Sequence, residues 1–230
     1  MLGYIIIAVV LFLLGLSFND ILSKLDTPTE MPLTEGFFIT FHFWIVFLLT
    51  APVMTTRSFS LERFSGTYET LMTSPVGDLT VVLAKFTGAL AFYAVTWLPL
   101  LGYLLIVRRY SDDPATLDFR VVATTFLGIL LIGSVYMSLG CFASALTRSQ
   151  TVAAMVSYAL GLTLFLVSLR ALVALPAGWQ VKFYDHIAMT QHLERFARGA
   201  IDSGVLAYYL SLTVLFLFLA WKVVESRRWR

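Results

Sequence analysis

Cysteine and charge are both scarce in this sequence. Its 230 residues include one cysteine, Cys141, which excludes a disulfide within the chain and a metal cage built from cysteines. Charged residues make up only 13%, and the formal net charge of +2 is too small for a nucleic-acid-binding surface. We therefore expect no nucleic-acid partner, and we expect Cys141 to be a buried, inert thiol in its apolar surroundings.

Motifs that bind nucleotides or build hydrolytic sites are also missing. No G-x-x-x-x-G-K-[ST] phosphate loop occurs, which excludes ATP hydrolysis by that route on this chain. Neither G-x-S-x-G nor H-E-x-x-H is present. His186, Met189 and His192 have a spacing that would place them on one side of a helix, within reach of a soft metal ion. Such residues are more commonly interfacial, so we predict no metal site here. Because the motifs above are missing, we also predict no catalytic residue and no cofactor on this chain.

Apolar sequence, in contrast, is abundant. Hydrophobic residues make up 59% of the chain, and the mean hydropathy is +0.84. A helix that crosses a bilayer needs roughly 20 mostly apolar residues. Six segments meet this need, at residues 2–18, 37–56, 81–107, 121–146, 152–175 and 205–224. The sequence therefore predicts an all-α integral membrane protein with a single transmembrane domain over residues 1–230.

Six spans place both termini on the same side of the membrane. The 16 Lys and Arg residues divide equally between the two sides, so a bare count gives no orientation. The basic segment KVVESRRWR, which directly follows the last span, favours cytoplasmic termini. Lys85 and Lys222 lie near the ends of spans, and we expect them to anchor at the interface. Residues 19–36 are predicted to form a solvated connector on the outer side. No acidic pair or basic ladder is expected to cross the membrane midplane, which argues against ion-coupled transport by this chain alone.

The stretch RSFSLERFSGTYETLMTSPV, residues 57–76, lies between the second and third spans. Its apolar side chains recur at helical spacing on one face, and its charged side chains fall on the other. Pro75 disfavours helix at Ser74. The pattern therefore predicts an amphipathic helix of about four turns that ends at Ser74.

This helix has two interpretations. It could rest on lipid headgroups, or it could present its charged face to a cytoplasmic protein. Glu62, Arg63 and Glu69 mix signs, whereas helices held by anionic lipid are usually rich in Lys and Arg. Gly66 is interpreted as clearing space on the exposed face for close approach. Both features favour docking on a protein.

Three further features have candidate roles. His42, which lies between aromatic residues in the second span, is a candidate outer gate. Ala153, Ser157 and Gly161 repeat at four-residue spacing, which predicts close helix packing within the chain or in a dimer. A short outer amphipathic helix, lying at the interface or tucked into the mouth of the bundle, is predicted from the apolar stripe Leu193, Phe196, Ala197, Ala200 and Ile201.

The pattern R-x4-E-R-x2-G-T-x-E-x-L-x-T-x-P-V, from Arg57 to Val76 and followed by LAKF, resembles the coupling-helix region of type-2 ABC exporter permeases. Within that family the chain is most similar to the gliding-motility-associated branch, and next to the permease of nitrous-oxide-reductase maturation. The FHFW motif in the second span and the C-terminal segment, which begins HLERFARGAIDSG, resemble the gliding branch too.

This resemblance implies a six-helix permease of the bacterial inner membrane. It implies pairing with a second permease subunit, as a homodimer or heterodimer, and with two separate ATPase subunits that bind ATP and Mg²⁺. It also implies periplasmic or auxiliary membrane proteins as further partners, in addition to the lipid bilayer. The positions that match the family's ATPase-coupling residues are Arg57, Glu62, Arg63, Gly66, Thr67 and Glu69.

Two functions from different classes follow. One is the membrane half of an ABC exporter. The other is a membrane anchor or scaffold that tethers a cytoplasmic ATPase machine without transport, for which the same coupling helix would serve. An intramembrane enzyme would need a nucleophile or metal constellation that the sequence does not contain.

Overall fold

Helices form all the regular structure in the part of the chain that is described. The computed structural model describes residues 2–24, 36, 38, 40–67, 76–110, 118–173 and 186–228. Its helices are α1 (Leu2–Lys24), α2 (Phe41–Thr55), α3 (Ser60–Ser65), α4 (Asp78–Tyr110), α5 (Phe119–Leu146), α6 (Gln150–Val173), α7 (Met189–Ala197) and α8 (Ser203–Arg228). The described residues contain six candidate spans that are long and apolar enough to cross a membrane. The second of them, Phe41–Ser65, includes both α2 and α3, and the other five fall on α1, α4, α5, α6 and α8. The α7 helix belongs to none of them. The predicted all-α membrane fold with six spans is confirmed.

The first helix is longer than predicted. Its apolar run ends at residue 18, but α1 continues to Lys24, so the expected connector does not begin at residue 19. Ile21 is buried, which extends the packed face of the helix by a turn beyond the apolar run. As a result Asp20 belongs to α1, inside the candidate span Gly3–Ser23.

Residue contacts divide the chain into two compact units. The first unit comprises Met1–Phe47, Ala94–Leu130 and Val167–Val205, and the second comprises Leu48–Tyr93, Leu131–Leu166 and Leu206–Arg230. The single domain over residues 1–230 stays a prediction.

The first unit has an aromatic core. Phe43 and Trp97 are fully buried, with ring centroids 5.2 Å apart. The Phe43 ring also lies 5.0 Å from that of Phe38, and Trp44 Nε1 donates a hydrogen bond of 2.8 Å to the Phe38 carbonyl. Two aromatic residues of the FHFW motif, Phe43 and Trp44, therefore hold the start of α2 in place.

The second unit relies on small residues for close packing. Gly161 of α6 lies against Tyr136 of α5, whose hydroxyl donates to the Gly161 carbonyl at 3.1 Å. A Cβ at Gly161 would be 3.0 Å from the Tyr136 ring. Ala153 and Ser157 are buried as well. Gly161 of the predicted stripe thus packs against α5 within this chain, and a role of the stripe in a dimer stays a prediction.

Candidate functional site

The α3 helix is capped by a residue from another helix. Its N-cap residue, Phe59, has no side chain that can accept a hydrogen bond from the free amides of the first turn. Ser144 of α5 supplies that acceptor, because its Oγ receives the amide hydrogens of Phe59 at 3.0 Å and of Ser60 at 3.1 Å. The same hydroxyl donates to the Thr56 carbonyl at 3.0 Å. One buried hydroxyl thereby uses its donor and both acceptor positions to hold the start of α3.

Lys85 of α4 makes a second connection to this region. Its Nζ lies 2.5 Å from Glu62 Oε1, donates to the Ser58 carbonyl, and sits 4.8 Å from the centroid of the Phe59 ring. The Lys85 side chain is only 18% exposed and that of Glu62 is 30% exposed. Lys85 neutralises the acid of α3, and its expected role as an anchor at the membrane interface stays a prediction.

Arg63 makes the third connection, because its guanidinium donates to the carbonyl of Ala145 next to Ser144. The charged side of α3 therefore faces its own chain. The expectation that Glu62 and Arg63 form an exposed charged face is wrong. Lys85 holds the Glu62 carboxylate and the Ala145 carbonyl holds the Arg63 guanidinium, and both partners are distant in the sequence.

The apolar side of α3 is the exposed side. Phe64 is 78% exposed and Leu61 is 40% exposed. Arg57, in the preceding turn, and Thr67, just beyond the helix, are exposed as well. The two faces of the helix match the predicted periodicity, but their orientation is the reverse of the predicted one.

The α3 helix is also shorter than predicted, because Gly66 ends it. Gly66 adopts a left-handed conformation with φ of 75°, which favours glycine. A Cβ at this position would meet nothing within 4 Å, so the glycine is required by the backbone and not by a close neighbour. The four-turn helix to Ser74 is therefore interrupted at Gly66. Glu69 lies outside the described residues.

An open pocket adjoins this exposed side. Its volume is about 420 Å³, and it is lined by Phe64 together with Arg148, Ser149, Gln150 and Thr151. These four residues form the connection between α5 and α6 and the start of α6. Ser144, which caps α3, lies only a few residues before that connection, so α5 positions both walls of the pocket.

In the first unit, His42 pairs with a residue that the sequence argument placed in a loop. His42 Nδ1 lies 3.0 Å from Asp20 Oδ2, and the Thr40 hydroxyl donates to Ser17 Oγ at 3.2 Å. Both contacts join α1 to the start of α2. Asp20 lies near the end of the candidate span Gly3–Ser23, so the expectation that no acidic pair crosses the membrane midplane stays a prediction. The role of His42 as an outer gate stays a prediction.

The second short helix, α7, is tucked inward in the first unit. Phe196 is buried, and its ring packs directly on Gly128. A Cβ at Gly128 would be only 2.8 Å from Cδ2 of the Phe196 ring. Thr124 donates to the Phe196 carbonyl at 2.7 Å, and Ser168 Oγ accepts the Met189 amide hydrogen at 2.6 Å. The predicted amphipathic helix is present, in the inward position of the two considered. It ends at Ala197, however, so the last stripe residue, Ile201, is exposed.

The spacing of His186, Met189 and His192 straddles the start of α7, because His186 precedes the helix. Met189 and His192 are both buried, whereas His186 is exposed. Among the residues that the structure describes, no three His, Cys, Asp or Glu side chains come together to hold a metal ion.

Comparison with known proteins gave one family. A family model described as "ABC-2 family transporter protein" matches residues 5–225, nearly the full length of the sequence. No curated protein matches the chain.

Proposed function

The chain belongs to the ABC-2 family of transporters and is thus the membrane subunit of an ABC transporter; on this premise we propose that it is an exporter permease driven by a separate ATPase chain that docks on α3. The α3 surface and both termini face the cytoplasm of a bacterial cell in this proposal. ATP and Mg²⁺ bind to the partner chain. The pattern from Arg57 to Val76 supports an assignment to the gliding-motility-associated branch.

One observation carries the proposal: α3 is fixed to the bundle by its polar side and exposes its apolar side. A phenylalanine with 78% exposure, next to the half-exposed Leu61, costs free energy in water unless something covers it. A protein surface that covers Phe64 and Leu61 would gain that free energy on docking.

The polar contacts suit the transmission of force. Ser144 and Ala145 connect α3 to α5, and Lys85 connects it to α4. A displacement of α3 by the ATPase is therefore passed to two spans at once, since packed elements move as rigid bodies rather than deform continuously. With a second permease subunit, this movement would open the pathway outward.

The residues that match the family's ATPase-coupling positions do not all contact the ATPase in this proposal. Phe64 and Leu61 contact the ATPase, with Arg57 and Thr67 at the rim of the contact. Glu62 and Arg63 are positioning residues that hold α3, and Gly66 ends the helix. Glu69 is retained as a contact on the strength of the family pattern alone.

The experiment is capture of an ABC ATPase by the intact permease purified in nanodiscs, followed by measurement of ATP hydrolysis. We expect Phe64→Ala to lose most of the capture and of the ATPase stimulation while the permease stays folded. Phe119→Ala is the matched control, because Phe119 is 81% exposed and lies in the first unit. Equal capture by the wild type and by Phe64→Ala would refute the docking role of α3.

A scaffold without transport would pass the capture test, so a second measurement separates it from an exporter. Single cysteines placed along α5 in a Cys141→Ala background are labelled in the nucleotide-free and vanadate-trapped complexes. An exporter requires that labelling of this buried helix changes between the two states. Unchanged labelling along all of α5, with ATP hydrolysis intact, would favour the scaffold.

A further inference from the structure

The pocket beside α3 has features that define its occupant. It is about 420 Å³ in volume, and its walls combine the aromatic residue Phe64, the cationic residue Arg148 and three polar residues at the end of the α5–α6 connection and the start of α6. We propose that this pocket receives an apolar side chain flanked by carboxylates from the ATPase partner, so that residues 148–151 form a second half of the docking surface. The inference rests on the proposed function and specifies the chemistry of its partner.

The two walls of the pocket are held in a fixed relation. Phe64 is placed by α3, which Ser144 caps and Arg63 fastens to the Ala145 carbonyl. The opposite wall begins with Arg148, three residues after Ala145 in the chain. Because both walls are joined to the end of α5, the pocket exists before the partner arrives, and little conformational entropy is lost when it is filled.

The charges around the pocket indicate the chemistry of the segment that it binds. The acid of α3, Glu62, is neutralised by Lys85 within the chain. It therefore does not offset Arg57 and Arg148, which are both exposed in the second unit. Arg148, which lines the pocket, gives it a positive potential, which favours an acidic segment and speeds its encounter with the pocket.

A protein fits this site better than the membrane surface does. Anionic headgroups would also be attracted to Arg148, and a bilayer would cover Phe64. A bilayer presents no protruding side chain to fill a concave pocket, however, whereas the polar groups of Ser149, Gln150 and Thr151 suit a polypeptide backbone around such a side chain.

The test measures the affinity of the intact permease, in nanodiscs, for the ABC ATPase that it captures. We expect Arg148→Glu to weaken binding about tenfold and to reduce its dependence on salt, as the loss of an attractive charge should. Arg148→Lys should restore most of the affinity. Thr151→Trp, which fills the pocket without changing charge, should weaken binding as strongly. Arg120→Glu is the control, since Arg120 is an exposed arginine of the first unit.

The outcomes separate this inference from the proposed function. If Phe64→Ala abolishes binding while Arg148→Glu and Thr151→Trp bind as the wild type does, the second half of the docking surface is refuted and docking on α3 stands. If the wild type captures no ABC ATPase, both fall. If the effect of Arg148→Glu appears only in nanodiscs that contain phosphatidylglycerol, and not in purely zwitterionic ones, the occupant is lipid and the inference is overturned.

Discussion

The two short helices α7 and α3, one in each unit, turn different faces inward: α7 buries its apolar face, and α3 turns its charged face toward its own chain. The nine-residue α7 buries its apolar stripe, with Leu193 and Phe196 inside, as an amphipathic helix of a globular protein does. The six-residue α3 turns its charged Glu62 and Arg63 toward its own chain and leaves Leu61 and Phe64 outside. Hydrophobic burial, together with two hydrogen bonds, therefore holds α7, whereas polar contacts hold the charged side of α3.

This difference indicates what each helix is built to do. A helix that has satisfied its apolar face has nothing left to offer a partner except polar groups. A helix that is fixed by its polar face keeps its apolar face available for binding. The orientation of α3 is thus consistent with a docking element, and that of α7 with a structural one.

Two phenylalanines give the strongest test of this comparison. Phe196→Ala should lower the free energy of unfolding by about 3–5 kcal/mol, because it leaves a cavity against Gly128. Phe64→Ala should change it by less than about 0.5 kcal/mol, because Phe64 is exposed. Reversible unfolding in mixed micelles measures both. Similar losses for the two variants would show that α3 is also held by its apolar side.

The cap of α3 gives the next largest expected effect. Ser144→Ala should cost about 1–3 kcal/mol, because two buried backbone amides and a carbonyl lose a partner. Ser138→Ala is the matched control in the same helix, since Ser138 donates only within α5, to the Val135 carbonyl at 2.8 Å. Hydrogen exchange at Phe59 and Ser60 should speed up in Ser144→Ala alone. Equal stability of the two variants would contradict the capping role.

A smaller effect is expected from the lysine that neutralises α3. Lys85→Met should destabilise the protein by about 1–2 kcal/mol, since it leaves the half-buried Glu62 carboxylate without its cation. Adding Glu62→Gln should recover part of this loss. Lys222→Met is the control, because the Lys222–Glu225 pair is more exposed and lies within one helix, so it should cost less than about 0.5 kcal/mol. The comparison fails if Lys222→Met costs as much.

The smallest effect concerns the ion pair of the first unit. A double-mutant cycle of Asp20→Asn and His42→Gln should give a coupling energy below about 1 kcal/mol, because both side chains are about a third or more exposed. The same cycle for Lys85 and Glu62 should give a larger value. A reversal of this order would mean that polar contacts hold the first unit more firmly than the α3 region.

The six spans could be predicted because each needs only a long apolar run. The end of α1 could not, since burial of Ile21 extends the helix through polar residues such as Asp20. The inward face of α7 followed its apolar stripe. The orientation of α3 did not follow its stripe, because Ser144 and Lys85, the partners that decide it, are far away in the sequence. The end of α3 at Gly66 could have been predicted, because glycine is common just after a helix. Apolar residues at helical spacing after Gly66 led instead to the prediction of a helix that continues to Ser74.

The cap from Ser144 also bears on how the protein is made. Residues 57–67 leave the ribosome well before Ser144, and a six-residue helix without its cap is not stable in water. We therefore expect this segment to remain uncoiled until α5 is inserted. If an ATPase docks on α3 as proposed, a half-synthesised chain would lack the docking surface, and the cap would delay docking until α5 is in place.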